Sequence, residues 1–339
     1  MPLIANSTYR PPAYLWNGHL QTVIPSVFRK ISVSYQRKRI TTPDDDFLDV
    51  DWCSASPGSR SDSGNNATST KMLAILSHGL EGDSSRQYLA GMVRQLTRHG
   101  FDCLAWNYRS CSGEMNRLSR FYHIGETGDL ETVVQHALGR GYVDIDLVGF
   151  SAGGNITLKY LGEHSLWPGV AAIRRGVAIS VPLDLLTTAD RLEQWDSMPY
   201  NIRFQRTLKE KIRVKSALLP EPIRAVDMTR IKSLRQFDDL ITAPLHGFGN
   251  VENYYRVNSS LPFLPKITVP TLVLNARNDP FLSPECMPEA LAKELSLVWM
   301  EFPKQGGHCG FSSAKGLQAP SYAEERALAF LTQIQPSAL

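Results

Sequence analysis

The sequence predicts an α/β fold, a mostly parallel sheet of eight strands with helices on both faces and a helical cap inserted late in the chain. Three observations carry that expectation. Short, continuous apolar runs recur at 72–78, 101–108, 143–150, 176–183, 271–276 and 297–302, as strands covered on both faces require. Amphipathic stretches at 85–99, 127–138, 151–161, 288–295 and 322–334 lie between most of them, and such alternation implies right-handed crossovers in a doubly wound sheet. The rhythm then breaks once, between Leu183 and Thr271, where helical periodicity covers 201–219 and 230–240. Open α/β sheets bind ligands at the carboxyl edge of their strands, so a helical insertion there reads as a cap over a site.

Taken in order, residues 1–30 form an arm expected to pack on the core. Residues 31–53 hold two β-rich stretches around the turn-forming TTPDDD and read as an antiparallel hairpin. A polar loop follows over 54–70. The core is assigned to 31–183 and 266–339 and the cap to 184–265, with no internal repeat.

With 36 basic and 33 acidic residues the net charge is +3, too balanced for a nucleic-acid footprint. The five cysteines, Cys53, Cys103, Cys111, Cys286 and Cys309, are scattered and never in C-x-x-C spacing, which favours reduced thiols over disulfides or a zinc site. Neither a metal nor a cofactor is expected. The amino-terminal residues lack a basic segment followed by an apolar one, and no apolar run approaches the about 18 residues of a spanning helix. The expectation is a cytoplasmic protein whose contact with membranes, if any, is peripheral.

The chemistry is concentrated at the end of the 143–150 run, where Gly149-Phe150-Ser151-Ala152-Gly153 precedes the helix-forming NITLKYL. This G-x-S-x-G pattern between strand and helix is a nucleophile elbow, whose flanking glycines let the backbone turn tightly enough to aim a serine into the cleft. A serine hydroxyl needs a histidine to take its proton and a carboxylate to orient that histidine. The chain order should be serine, acid, histidine, and Asp279 and His308 each follow a predicted strand. Asp184 is the rival acid, but it opens the cap. The oxyanion needs two N–H donors, expected from Ala152 and from Leu80 in the turn Ser77-His78-Gly79-Leu80-Glu81-Gly82. His78 is expected to fix that loop by hydrogen bonds, with Gly79, Gly149 and Gly153 supporting the turns.

These residues, with Trp16-Asn17-Gly18-His19-Leu20-Gln21-Thr22, the run from Asn107 to Glu114, Tyr122-His123, Gly125-Glu126-Thr127, Phe237-Asp238-Asp239, Tyr254-Tyr255-Arg256 and the run from Asn275 to Phe281, carry a resemblance nearly end to end. The chain resembles the YheT-like esterases of the α/β-hydrolase superfamily, relatives of eukaryotic lipid hydrolases. The resemblance implies a capped α/β-hydrolase fold, a triad carried onto Ser151, Asp279 and His308, and hydrolysis of carboxylic esters through an acyl-enzyme, on short- to medium-chain acyl groups or lipids. Ser110 stands where the family has glycine, which touches a loop conformation more than the chemistry. The triad leaves Asn17–Thr22 and Phe237–Asp239 unexplained; they are expected to pack the arm and cap over the cleft.

Three other features are weighed. The basic stretch from Arg203 to Lys215 reads as the solvated face of a cap helix more readily than as a surface for anionic lipid. Cys309 reads as a buried, inert cysteine more readily than as a reactive thiol near the site, and Cys111 and Ser112 as parts of a structural turn. An acyltransferase would use the same three side chains, whereas a non-catalytic binding protein would keep the fold without needing them.

Overall fold

The structure is a computed structural model that describes residues 3–57, 71–163 and 165–333; the predicted polar loop falls mainly outside them. Among the described residues nine strands form one sheet: β1 (Leu3–Ile4), β2 (Gln36–Thr41), β3 (Phe47–Cys53), β4 (Leu73–Ser77), β5 (Asp102–Asn107), β6 (Ile145–Phe150), β7 (Ile173–Ile179), β8 (Thr271–Leu274) and β9 (Val298–Glu301). Their order is β1-β9-β8-β7-β6-β4-β5-β3-β2. All neighbours run parallel except β5/β3 and β3/β2. The ninth strand is β1, which pairs Leu3 with Met300 and Ile4 with Glu301. Two residues are too few to show a period, which is why eight strands were expected.

Every residue of β4, β5, β6 and β8 is buried, so both sheet faces need cover. Twelve α-helices among the described residues are numbered in chain order. Of these, α1 (Gly18–Phe28), α2 (Gln87–Thr97), α3 (Thr127–Leu138) and α4 (Ala152–Gly162) precede the long insertion, and α11 (Glu289–Glu294) and α12 (Tyr322–Thr332) follow it. Leu89, Met92 and Phe330 pack on Val148 and Phe150 on one face, while Val133, Ile156 and Leu158 pack with Leu104 and Leu147 on the other. Arg37 and Arg39 make two-point ion pairs with Asp51 and Asp49. Such charges also blunt the β2 edge against further pairing.

After β4 the chain moves to β5 on one side, and after β6 it moves to β7 on the other. The carboxyl ends of β4 and β6 therefore border the crevice where strand order reverses. Between β7 and β8 stand α5 (Leu185–Leu192), α6 (Met198–Val214), α7 (Glu221–Arg224), α8 (Leu234–Phe237), α9 (Ala243–Leu245) and α10 (Val251–Asn258), with a π-type turn over Asp238–Thr242 joining α8 to α9. This segment has an apolar cluster of its own, with Ile212, Leu219, Ile223, Ile231 and Phe237 closed by Phe121.

The basic stretch of α6 is tied inward more than the sequence implied. Lys211 pairs with Glu81 at 2.7 Å, Lys209 donates to Ile231 O, and the buried Lys215 donates to Asn116 Oδ1 at 2.8 Å. Burial pushes the Lys215 amine down to about 8. Ser110 sits at φ +63°, in the region that favours glycine. Its hydroxyl compensates, donating to Asn116 Oδ1 at 2.6 Å and accepting from Asn116 N.

Candidate active site

Ser151 occupies the turn between β6 and α4 with φ +53° and ψ −121°, a sparsely populated conformation that costs energy and is held by its surroundings. The turn is tight enough to exclude side chains on either side. A Cβ on Gly149 would lie 2.3 Å from Gly153 O, and one on Gly153 would lie 2.4 Å from Ser77 O. The Ser151 N–H is anchored to Ile179 O at 2.8 Å. This is the physical content of the two glycines: the elbow packs directly on the end of β4.

His308 and Asp279 arrive from loops beyond β9 and β8. His308 Nε2 lies 2.9 Å from Ser151 Oγ, and His308 Nδ1 lies 2.9 Å and 3.1 Å from the two Asp279 carboxylate oxygens. Asp279 is buried and also accepts the Phe281 N–H at 2.8 Å. Burial works against an imidazolium here, but the Asp279 carboxylate more than offsets it and raises the His308 pKa above its usual value. The Phe281 ring stacks on the imidazole at 3.9 Å and fixes its plane. Asp184, the rival acid, instead caps α5 by accepting the Thr187 N–H at 2.9 Å.

The loop after β4 is wired in place. Tyr108 N donates to His78 Nε2 at 3.2 Å, so Nδ1 carries the proton and donates to Gly79 O at 2.7 Å. Burial lowers the His78 pKa to about 4 and keeps it neutral. Gly79 N–H donates to the Tyr88 hydroxyl at 3.0 Å, Glu81 N–H to the Tyr122 hydroxyl at 2.9 Å, and Gly82 N–H to Gly79 O at 3.0 Å. Three of the four loop amides after His78 are thus engaged elsewhere, with Leu80 between them. Ala152 opens α4, where an N–H has no intrahelical acceptor. Leu80 and Ala152 line one cavity with Ser151 and His308.

The sequence did not reveal what holds the histidine loop. Asn17 caps α1, accepting the Leu20 N–H at 2.8 Å. The next turn faces inward, so that Thr22 Oγ1 accepts the His308 N–H at 2.9 Å and donates to Gly18 O at 2.7 Å. Gln21 Oε1 accepts the Gly306 N–H at 2.7 Å and an Asn278 side-chain N–H at 3.0 Å. A Cβ on Gly18 would lie 1.9 Å from Asn278 O. The Asn17–Thr22 motif therefore clamps both loops that carry Asp279 and His308. Its identity as a motif was legible; its partners were not.

Two spaces meet at Ser151. One is a cavity walled by apolar side chains such as Leu185, Leu192, Leu208, Leu234 and Phe281, with Asp238 and Thr242 on the same wall. Asp238 accepts from Thr242 Oγ1 at 2.7 Å and the Tyr255 hydroxyl at 2.8 Å, and burial pushes its carboxyl up to about 6. Asp239 accepts the Val251 N–H at 3.1 Å. The Phe237–Asp239 motif thus shapes the cavity wall and braces α10. The second space is a more polar groove, lined by Val23 and Val27 of α1, Arg86, Tyr88, Arg203 of α6 and Cys309. Cys309 is half-buried in the groove lining and not buried as expected, because its loop turns it toward that space, and Cys111 lies 3.2 Å from Lys211 Nζ.

The chain has counterparts among known proteins. A family model for the alpha/beta hydrolase fold matches residues 75–314, and the chain belongs to the α/β-hydrolase family. It is 31% identical over 322 residues to the YheT protein of Escherichia coli (strain K12), which carries an esterase name, covering 93% of this chain and 90% of the relative. It is 28% identical to the human phospholipase ABHD3, over 91% of this chain and 74% of that one. Among solved structures the Pyrococcus furiosus esterase Pf2001 is similar, with a TM-score of 0.54 at 20% identity over 89% of this chain and 97% of that chain.

Proposed function

We propose that the protein is a serine-dependent carboxylic ester hydrolase with Ser151 as nucleophile, His308 as general base and acid, and Asp279 as the carboxylate that orients it. The observation that carries this reading is the continuous Ser151–His308–Asp279 hydrogen-bond chain, 2.9 Å at each link, opening onto an apolar cavity. Ser151 Oγ attacks the ester carbonyl while His308 Nε2 takes its proton. The Leu80 and Ala152 N–H groups hold the oxyanion, as the engaged amides on either side of Leu80 favour. The imidazolium then protonates the departing alcohol, and water, activated by the same imidazole, releases the acid from the acyl-enzyme.

The apolar cavity receives the acyl chain, of short to medium length, and the more polar groove receives the alcohol. Residues 184–265 act as the cap, 1–30 as an arm and the remainder as the core. The named activities of the YheT and ABHD3 relatives support the reaction class. Five free thiols favour a reducing, cytoplasmic setting.

The test is hydrolysis of p-nitrophenyl esters by wild type and Ser151→Ala, with labelling by a fluorophosphonate. Wild type turns over and is labelled at Ser151, and the variant does neither while keeping its melting temperature. An unlabelled wild type, or an active Ser151→Ala, removes the proposal. Transfer of the acyl group to an added alcohol in preference to water would reassign it to an acyltransferase.

A further inference from the structure

Helix α1 is built inside out. Its polar Gln21 and Thr22 are buried against the loops of Asp279 and His308, while Val23, Val27 and Phe28 are 39%, 57% and 59% exposed. The segment GHLQTVIPSVF contains no Asp, Glu, Lys or Arg, whereas a surface helix ordinarily turns its charges outward. The clamp on the catalytic loops explains the inner face and leaves the outer one unexplained.

The apolar surface continues beyond the helix. Trp16, just before it, is 73% exposed and Tyr14 is 55% exposed. Across the cleft Trp195 is 87% exposed. The neighbouring Asp196 lies 3.5 Å from His19 of α1, and Tyr200 stacks on the same imidazole, so the segment that carries Trp195 adjoins α1. Single exposed apolar residues need no explanation, but a contiguous set rimming a cleft marks an interaction surface.

The occupant is constrained by what lies within that rim. Val23 and Val27 also line the groove that leads to Ser151 and His308, so whatever seats here must leave an ester a way in. A folded partner pressed on the rim would close it; a fluid lipid layer would not. Exposed indoles favour the membrane–water boundary. Arg203 in the groove and Lys30 just past α1 are exposed and make no ion pair among the described residues, leaving cations available for anionic headgroups. No helix among the described residues is long and apolar enough to cross a membrane, so the contact is in plane.

We propose that the outward face of α1, with Trp16 and Trp195, docks the protein on a phospholipid bilayer and opens the groove onto the lipid. The hydrolase reading supplies the meaning of the groove, but binding itself needs no turnover, so the two ideas fail separately. The experiment is co-sedimentation of the full chain with vesicles of phosphatidylcholine, alone and mixed with phosphatidylglycerol. Wild type and Ser151→Ala sediment with vesicles, more so when phosphatidylglycerol is present. Phe28→Asp combined with Trp195→Asp lowers the bound fraction by about tenfold, while an unchanged melting temperature and circular dichroism spectrum show that the variant is folded. Trp16→Ser alone gives a smaller loss and serves if the double variant does not fold. The proposal is overturned by wild type remaining in the supernatant with both compositions, or by substitutions that leave binding undiminished. A dimer seen by light scattering that dissociates in the variants would also overturn it, giving the face to a second copy.

Discussion

Replacing Thr22 by valine removes one hydroxyl and keeps the side-chain shape. That oxygen is buried, accepts the His308 N–H at 2.9 Å and donates to Gly18 O at 2.7 Å. The valine leaves the His308 amide without this acceptor, and a buried donor left unmade costs about 1–3 kcal/mol. Gly307, next to it, packs closely on α1, where a Cβ would lie 2.8 Å from both Gln21 Cβ and Gly18 O, so the space holds no room for a replacement acceptor. The loop carrying the imidazole therefore relaxes away from Ser151. If about half the upper figure reaches the transition state, kcat falls about tenfold, since about 1.4 kcal/mol is a factor of ten. KM should stay nearly constant, because Thr22 reaches the reaction through His308 and not through the acyl cavity. Steady-state kinetics on p-nitrophenyl butyrate, beside thermal melting, separates the cases. A variant with lowered melting temperature and unchanged kcat would show that the arm serves stability alone and would refute the clamp.

Two further outcomes are expected. Asp279→Asn removes the carboxylate that raises the His308 pKa; the base works only when neutral, so the acid limb of the pH–rate profile moves to lower pH, while kcat drops about 10⁴-fold as in related triads. A limb that stays in place or moves up would contradict the assigned pairing. Leu192→Trp narrows the apolar cavity. Excluding two methylenes costs about 1.6 kcal/mol at about 0.8 kcal/mol each, so the octanoyl-to-acetyl ratio of kcat/KM should fall about fifteenfold; an unchanged ratio would place the acyl chain elsewhere.

The parts of the molecule legible in the sequence are those set by local pattern. β4 to β9 announce themselves as apolar runs because strands buried on both faces have no polar positions. Ser151 is legible because its glycines obey a steric demand that lies within five residues. What escaped depends on partners far along the chain. The Thr22–His308 contact spans 286 positions, and nothing within GHLQT names its target. Lys211 and Lys215 sit in a stretch whose composition says solvent, yet Lys211 finds Glu81 and Cys111 while Lys215 finds Asn116 Oδ1 and the Leu118 and Arg120 carbonyls, and these partners outweigh the general preference of lysine for water. β1 is legible only from its neighbour, because its two residues borrow their conformation from the edge of β9.

The Lys211–Glu81 pair joins a helix of the insertion to the residue that follows Leu80. Both side chains are largely removed from water, and parting such a pair is far more expensive than parting one at the surface. Lifting α6 away would strand a carboxylate beside the amide proposed to steady the oxyanion, so an opened molecule would also be a disarmed one. Grafting a relative's insertion onto this scaffold would accordingly have to transplant the lysine together with its acid, since either alone leaves a largely buried charge without its ion-pair partner beside the loop after β4.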